Sequence, residues 1–219
     1  MEKYHVALLS RSDKVVLVPY RRHHVLKYHD WMCDPALLEA TASEPLTLEE
    51  EYAMQQTWRD DPKKVTFIVL AGDKVISELR EKGLTIGSTE EDRMAGDVNL
   101  FLNDSDDLFN AEIEVMIAEH GFRSLGIARE ALLMLMLFGI SALGIKRYFA
   151  KINEKNVASL SLFKSLGYIE VNYVAAFQEY ELEIMVSSAL VETLQGQYTK
   201  VSYVDLPFVQ SNKEGNDEH

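Results

Sequence analysis

The chain has 219 residues, of which 47% are hydrophobic and 26% charged, a balance typical of a globular protein with one hydrophobic core. Its net charge of −13 excludes the basic footprint that a nucleic-acid-binding protein needs. Residues 34–114 carry this whole net charge, and the rest of the chain is balanced. Such a distribution suits a positively charged partner or substrate, or else simply keeps the protein in solution.

Targeting and redox features point to the cell interior. No apolar run approaches the roughly 20 residues that span a bilayer, and the first five residues lack the layout of a signal peptide. The single cysteine, Cys33, excludes an internal disulfide and fits a reducing compartment. We therefore expect a cytoplasmic protein, or one shared with the nucleus, with no membrane partner. The sequence leaves its oligomeric state open.

The N-terminal half alternates predicted strands and helices. A helix is predicted over 23–32, and Thr47 with Glu50 forms a capping box that opens a second helix ending near residue 58. The charged segment 71–93 is predicted as an excursion that contains a short helix over 75–82, and 104–107 as a turn. Three short segments are predicted as strands: 15–19, which is β-branched and ends at a proline, 65–70 and 96–102.

The C-terminal half contains two predicted helices, over 126–142 and 157–166. Its predicted strands cover 112–118, 148–152, 168–175 and 177–184. The order of elements predicts an α/β fold, a mixed sheet with helices on both faces. We expect a single domain over 1–188 and a C-terminal extension over 189–219, whose polar end is disordered.

A glycine-containing loop joins a predicted strand to the start of the long helix. The loop, R-S-L-G-I-A, covers residues 123–128. Gly126 allows the backbone to approach a ligand closely, Ala128 is small, and Arg123 adds a positive charge. A strand, loop and helix N-terminus in this order offer backbone N–H groups to a phosphate. Alone the motif is weak, since loop glycines are common, but a second motif, N-V-A-S-L-S-L-F-K-S-L-G-Y, follows at 156–168.

Together the two motifs resemble those of the GNAT superfamily of acetyl-CoA-dependent N-acetyltransferases. The first matches R-x-x-G-x-A after a strand with V-M-I, and the second matches at Asn156, Ser159, Phe163, Gly167 and Tyr168. The resemblance implies the GNAT fold, a mixed and mostly antiparallel central sheet flanked by helices. It also implies acetyl-CoA as co-substrate, bound where two strands splay apart, and no metal.

By this resemblance, the backbone of Val115 and Ile117 contacts the pantetheine arm, and the loop of residues 123–128 contacts the pyrophosphate. Asn156 and Ser159 line the opposite wall. The residues expected at the cofactor are Val115, Met116, Ile117, Arg123, Ser124, Leu125, Gly126, Ile127, Ala128, Asn156, Ser159 and Phe163.

Three further segments resemble the eukaryotic N-acetyltransferase 9 branch of the family. They are T-A-S-E-P-L-T-L-E-E-E-Y-A-M-Q at 41–55, G-D-V-N-L-F-L at 96–102 and E-I-E-V-M-I-A-E at 112–119. The branch implies acetylation of a protein or peptide amine, with tubulin N-termini as suggested acceptors. Two alternatives stay open: a catalytically weak acetyl-CoA-binding, microtubule-associated protein, and an acetyltransferase of small amines, because a fold does not fix the acceptor.

Glu112 and Glu114 are the candidate catalytic bases. They alternate with apolar residues and therefore project from one face of a strand that borders the acceptor site in this family. An α-amine with a pKa near 8 needs only a carboxylate, or water bound to one, to take its proton. Asp97 and Asn99 on the neighbouring strand are expected to share that face and contact substrate. The alternative is a solvated row of carboxylates.

The general acid and the acceptor contacts are less determined by the sequence. Many family members carry a tyrosine as general acid where this chain has Phe163, which has no proton to donate. Either no side-chain acid is used, or Ser159 or water serves. Glu44, in the segment expected to form one wall of the acceptor groove, is a candidate contact for a cationic substrate group, or else a solvated loop residue.

Overall fold

The computed structural model of the protein describes residues 6–71, 91–102, 107 and 109–202. The helix expected over 75–82, most of the turn over 104–107 and the polar end of the chain lie outside these residues.

A single sheet runs through the described part of the chain, and nine strands of that part belong to it in the order β7-β8-β6-β5-β4-β3-β2-β1-β9. Neighbouring strands are antiparallel except β5 and β6, which are parallel. The prediction of a mixed, mostly antiparallel sheet is therefore confirmed. The strands are β1 (Val6–Ser10), β2 (Val15–Pro19), β3 (Lys64–Ala71), β4 (Met94–Phe101), β5 (Asn110–Ile117), β6 (Arg147–Asn153), β7 (Ile169–Val174), β8 (Glu179–Met185) and β9 (Tyr198–Ser202).

Helices cover both faces of the sheet, as predicted. The first three helices pack on one face and the last three on the other. The long helix α4 continues into a π-helical turn, Gly139–Leu143. The helices are α1 (Val25–Met32), α2 (Pro35–Ala40), α3 (Leu48–Asp60), α4 (Ile127–Phe138), α5 (Val157–Ser165) and α6 (Ser188–Leu194).

Side chains along the central strands point alternately to the two faces of the sheet and form a separate hydrophobic core on each face. On β3, Phe67 faces the core beneath α4, whereas the adjacent Ile68 faces the core beneath α1. Leu132 of α4 and Trp31 of α1 fill the two cores from the helix side. Each fully buried apolar side chain contributes about 1.5–3 kcal/mol, so the sheet is held from both faces.

The capping box at the start of α3 has the predicted geometry. The Thr47 backbone N–H donates to Glu50 Oε2 at 2.8 Å, and the Glu50 backbone N–H donates to Thr47 Oγ1 at 3.3 Å. These bonds satisfy two donors at the helix start. They hold the connection between α2 and α3 in place, beside one of the two cavities described below.

The sheet extends beyond the predicted domain end at residue 188. β9 pairs with β1, Leu9 opposite Thr199, and Leu194 of α6 is fully buried. β1 has no alternating pattern that would reveal it, because Ala7, Leu8 and Leu9 are all buried between the two helical layers. Residues 188–202 therefore belong to the same folded unit as the rest.

Candidate active site

The two parallel strands in the middle of the sheet diverge. β5 and β6 pair only at their starts, where Asn110, Ala111 and Glu112 lie opposite Arg147, Tyr148 and Phe149. Both strands continue beyond this point, to Ile117 and Asn153. The divergence opens a gap in the sheet and leaves one side of β5 available to a ligand.

A cleft of about 550 Å³ occupies the gap. One wall is the end of β5 with the loop after it, and the opposite wall is the start of α5. The predicted cofactor residues that line it are Val115, Met116, Ile117, Arg123, Ser124, Gly126, Ile127, Ala128, Asn156 and Ser159.

The loop before α4 turns sharply so that the helix begins at the cleft. Ser124 and Gly126 have φ values of 61° and 81°, and Gly126 is the N-cap of α4. Glycine adopts this conformation without strain. Gly126 offers no capping side chain, and the first N–H groups of a helix have no intrahelical acceptor. The N–H groups of Ile127, Ala128 and Arg129 are therefore available to an anion at the cleft wall.

Arg123 holds the end of β5 rather than extending into the cleft. Its Nε donates to the Ile117 carbonyl at 2.8 Å, and its Nη2 donates to the Ala118 carbonyl at 3.1 Å. Arg123 is still one of the residues that line the cleft, and its guanidinium is permanently charged. The role of Arg123 as a positive charge beside phosphates stays a prediction. The structure shows in addition that Arg123 stabilises the end of β5.

The opposite wall is fixed by a helix cap and by a bridge between helices. Asn156 is the N-cap of α5, and its Oδ1 accepts from the Ser159 backbone N–H at 3.1 Å. Arg129 Nη1 donates to Ser165 Oγ at 2.9 Å, which ties α4 to the end of α5. The first contact fixes the start of α5, and the second holds α5 against α4.

A second cavity, the groove, has a volume of about 860 Å³. Residues 39–43, the end of α2 and the turn after it, form one rim, and Phe177 with Glu179 at the β7–β8 turn forms another. The floor consists of β4, β5 and β6 residues. The groove meets the cleft at six residues common to both linings: Ala40, Thr41, Val115, Met116, Asn156 and Ser159.

Glu112 and Glu114 both lie on the groove floor, as predicted from their alternation. Glu112 Oε2 accepts from Lys151 Nζ at 3.1 Å. Glu114 is open to water through the groove mouth but surrounded by protein on its other sides, and this partial dehydration, with the nearby Glu112 carboxylate, raises the pKa of Glu114 to about 7. Lys64 and Lys151 act in the opposite direction on that pKa.

Asp97 and Asn99 share this face with the two glutamates. Asn99 lies opposite Glu114 across the β4–β5 pair. Its Nδ2 donates to Asp97 Oδ2 at 2.9 Å, and its Oδ1 accepts from Thr66 Oγ1 at 2.6 Å. Tyr28 also donates to Asp97 Oδ2, at 3.4 Å, and burial raises the pKa of Asp97. Because both side chains are buried and bonded to each other, they shape the floor more than they reach into the groove.

Three sequence-based assignments differ from the structure. Leu125 is 59% exposed and lies outside the cleft lining. Phe163 lines the groove rather than the cleft and is buried edge-to-face against Tyr168, with ring centroids 5.0 Å apart. Glu44 is exposed and outside the groove, because the chain turns away after Ser43 toward the α3 cap. Glu39 lines the groove instead.

Several groove residues were missed by the sequence reading, and Lys64 is the most informative. It is 5% exposed, on a strand that is otherwise apolar apart from Thr66. Lys64 and Thr66 alternate, so they mark the polar, groove-facing side of β3. Phe177 and Glu179 gave no such signal, because a turn residue is brought to a distant site only by the tertiary fold.

Comparison with known proteins assigns the family. The model of the GNAT acetyltransferase domain matches residues 14–169. An N-acetyltransferase 9-like protein of Nematostella vectensis is 50% identical over 178 residues, 81% of this chain and 85% of that protein. The α/β-tubulin N-acetyltransferase 9 of Homo sapiens is 45% identical over 194 residues, 88% and 90% of the two chains. The chain belongs to the GNAT family and is an acetyl-CoA-dependent N-acetyltransferase.

A solved structure supports the fold assignment. Spermidine N-acetyltransferase from Vibrio cholerae, in complex with CoA and spermine, superposes with a TM-score of 0.64 at 14% identity. The match covers 78% of this chain and 95% of that one. Within the described residues, no helix has the length and apolar character required to cross a membrane.

Proposed function

We propose that the protein transfers the acetyl group of acetyl-CoA to the α-amine of a protein N-terminus, and that the amine attacks the thioester directly in a ternary complex. One observation carries the proposal: the cleft and the groove meet at Val115, Met116, Asn156 and Ser159. A thioester at this junction is open to an amine from the groove while the rest of the cofactor fills the cleft.

The lining of the cleft supports acetyl-CoA in this position. The N-terminal N–H groups of α4 and the charge of Arg123 suit the pyrophosphate. The unpaired side of β5 from Ile113 to Ile117 suits the amide groups of the pantetheine arm, which bind like a strand. A bound cofactor would thus fill the gap between β5 and β6.

Glu114 is the proposed base. The neutral amine attacks the thioester carbonyl carbon, a C–N bond forms, the C–S bond breaks, and the extra amine proton passes to the Glu114 carboxylate directly or through water. A base with a pKa of about 7 is deprotonated over much of the physiological range and still accepts a proton readily. Glu112 is less suited, because Lys151 already pairs with it.

The leaving thiolate needs little acid catalysis, since a thiol has a pKa near 8.5. Tyr168 is buried and its hydroxyl is directed to Met136 Sδ at 3.7 Å, so it is no candidate for this step. Thr41 and Ser159 line both cavities, but the Thr41 hydroxyl donates to the Leu37 carbonyl at 2.8 Å. Ser159 or water is the proposed proton source.

The charge of the groove supports a cationic acceptor. Its lining has two lysines, Lys64 and Lys151, against six carboxylates: Glu39, Asp61, Asp97, Glu112, Glu114 and Glu179. A peptide with a basic residue near its α-amine suits this surface. Because a relative bears the name α/β-tubulin N-acetyltransferase, tubulin N-terminal peptides are the first acceptors to test, and they would place the activity in the cytoplasm.

The test is a panel of acceptors incubated with acetyl-CoA and the wild-type protein. The panel contains tubulin N-terminal peptides, peptides with a basic or neutral second residue, an N-terminally blocked peptide with a free lysine, and spermidine. Fragment-ion mass spectrometry should locate the acetyl group on the α-amine. Faster acetylation of spermidine or of the blocked peptide would refute the N-terminal assignment, and no transfer to any acceptor would refute enzymatic function.

A further inference from the structure

Lys64 is a buried cation inside the acceptor groove. It begins β3 directly after α3 and the 61–63 turn, and lies opposite Phe101 of β4. The side chain lines the groove although the residue is only 5% exposed. A buried charge is costly: burial lowers the pKa of Lys64 to about 8, while Asp97, Glu114 and Asp61 act to raise it, so the side chain keeps its positive charge below that pH.

Two aromatic rings enclose the ammonium group. Lys64 Nζ lies 3.2 Å from the ring centroid of Trp58 and 3.9 Å from that of Phe101. Contacts of this kind fix a cation and contribute about 0.5–2 kcal/mol. The rings come from α3 and β4, so the position of the charge is set by two elements and does not depend on one flexible side chain.

The charges around Lys64 and Glu114 come from every element that borders the groove floor. Asp61 follows α3, Asp97 lies on β4, and Glu112 shares β5 with Glu114. Lys151 on β6 is paired with Glu112. Lys64, Phe101 and Glu112 lie in one row across β3, β4 and β5, and Glu114 follows Glu112 by two residues on the same face of β5, in the same groove lining as Lys64. The positive charge of Lys64 therefore favours the ionised form of Glu114, whereas Glu112 and Asp97 favour its protonation.

We propose that Lys64 is a positioning residue for acetyl transfer: its ammonium group, fixed between Trp58 and Phe101, keeps the Glu114 carboxylate deprotonated within an acidic groove. The inference rests on the proposed function of Glu114 as the base. It explains how a groove that attracts cationic acceptors with several carboxylates avoids protonating the one carboxylate that has to accept a proton.

The first arm of the test measures kcat against pH at saturating acetyl-CoA and peptide. Lys64→Met keeps an apolar stem between the rings but removes the charge, so the acidic limb of kcat should move to higher pH by roughly one unit. Lys64→Arg retains a cation over the rings and should keep the limb near its wild-type position. Lys164→Met is the matched control, since Lys164 pairs with Glu170 outside both cavities, and should leave the limb in place.

The second arm measures the protonation of Glu114 directly, in the absence of acetyl transfer. The carboxyl carbon signal of Glu114, assigned by its loss in Glu114→Gln, is titrated by NMR in the wild type and the variants. The midpoint should rise in Lys64→Met and stay in Lys64→Arg. If Lys64→Met does not fold, Lys64→Gln takes its place, and the same rise of the Glu114 midpoint is expected.

The two arms separate this inference from the proposed function. An unchanged Glu114 midpoint in the charge-removing variant, or an equal rise in Lys64→Arg, would overturn the role of Lys64 even if acetyl transfer proceeds normally. Absence of acetyl transfer in the wild type would refute the proposed function, while the NMR titration would still decide whether Lys64 holds Glu114 ionised.

Discussion

Glu112 and Glu114 stand two residues apart on the same strand, yet their surroundings differ. Glu112 is paired with Lys151 at 3.1 Å, so its carboxylate is already engaged by a neighbouring cation. Glu114 lies opposite Asn99 and is the more exposed of the two, and the Glu112 and Asp97 carboxylates near it favour its protonation. Local electrostatics, and not residue type, therefore distinguishes the two carboxylates.

Replacing Glu114 with glutamine should lower kcat by about 10²-fold, because the amide accepts no proton from the attacking amine. In the wild type, kcat should rise with pH through about 7, since the pKa of Glu114 is raised to that value and the base has to be deprotonated. The Glu114→Gln variant should lose this limb. Initial rates at saturating substrates between pH 5.5 and 9, chosen to bracket that value, check both points.

Glu112→Gln is the matched control for that change. It removes one carboxylate from the same face of β5 and should cost less in kcat than Glu114→Gln, while the acidic limb moves to lower pH as a like charge beside Glu114 disappears. If Glu112→Gln abolishes turnover and Glu114→Gln keeps it, the two roles have been exchanged.

At the residue scale, the sequence predicted the positions of those side chains whose direction follows from strand alternation. Alternation placed Glu112 and Glu114 on one face, and the structure brings both to the groove. Glu44 was expected at the groove by its place in the chain, but its orientation depends on how the segment between α2 and α3 turns, which no periodicity records. Lys64 was missed because its enclosing rings come from elements distant in sequence.

At the scale of elements, strained turns collect at the two cavities. Of the four non-glycine residues with positive φ in the described part of the chain, three lie there: Ser124 beside the cleft, Ala42 on the groove rim, and Gln178 between Phe177 and Glu179. The fourth, Asp13, lies in the β1–β2 turn. Non-glycine residues in this conformation cost about 1 kcal/mol or more each. The turns that position α4 and the groove rims therefore carry backbone strain, whereas the sheet between them is stabilised by two hydrophobic cores.

Gly126→Glu should abolish acetyl-CoA binding in isothermal titration calorimetry. A Cβ atom at this position would meet no protein atom within 4 Å, so the side chain starts in open space; glutamate adds bulk and a negative charge to the end of α4 proposed to bind phosphate. Gly126→Ala is the matched control, because it carries the same strain at φ 81° without charge. It should weaken binding far less. Full binding by Gly126→Glu would contradict this cofactor site.

The sequence predicted most elements but few of the short ones. Long amphipathic segments such as α4 and strands bounded by turn residues were recognisable. The six-residue α2 and the fully buried β1 lack sufficient periodic signal, and the pairing of β9 with β1 joins the two ends of the chain. The divergence of β5 and β6, which makes the site, was expected only through family resemblance, since strand pairing depends on the whole sheet.

For the molecule as a whole, the acidic excess of residues 34–114 produces a negative electrostatic potential that is concentrated in one region. Part of it lies on the groove lining, where carboxylates outnumber lysines, whereas the cleft carries Arg123 and the positive end of α4. The two cavities therefore have opposite electrostatic character, one suited to an anionic cofactor and the other to a cationic acceptor.

The Michaelis constant for a basic peptide should rise with ionic strength, because the Debye length is only about 8 Å at physiological salt. Glu179→Gln, on the groove rim, should raise that constant several-fold at low salt and flatten its salt dependence. Glu44→Gln changes the charge equally but outside the groove and should leave both unchanged. Steady-state kinetics at several salt concentrations measure these Michaelis constants. Equal effects of the two variants would show that the acidic surface keeps the protein in solution and does not attract the acceptor.

The most direct test of the central claim is a crystal structure with acetyl-CoA bound. We expect a pyrophosphate within hydrogen-bonding distance of the N–H groups of Ile127 and Ala128, the pantetheine arm along β5, and the acetyl group at the junction beside Val115 and Asn156, facing Glu114. An acetyl-CoA molecule bound elsewhere, or with its acetyl group directed away from the groove, would contradict the proposed site.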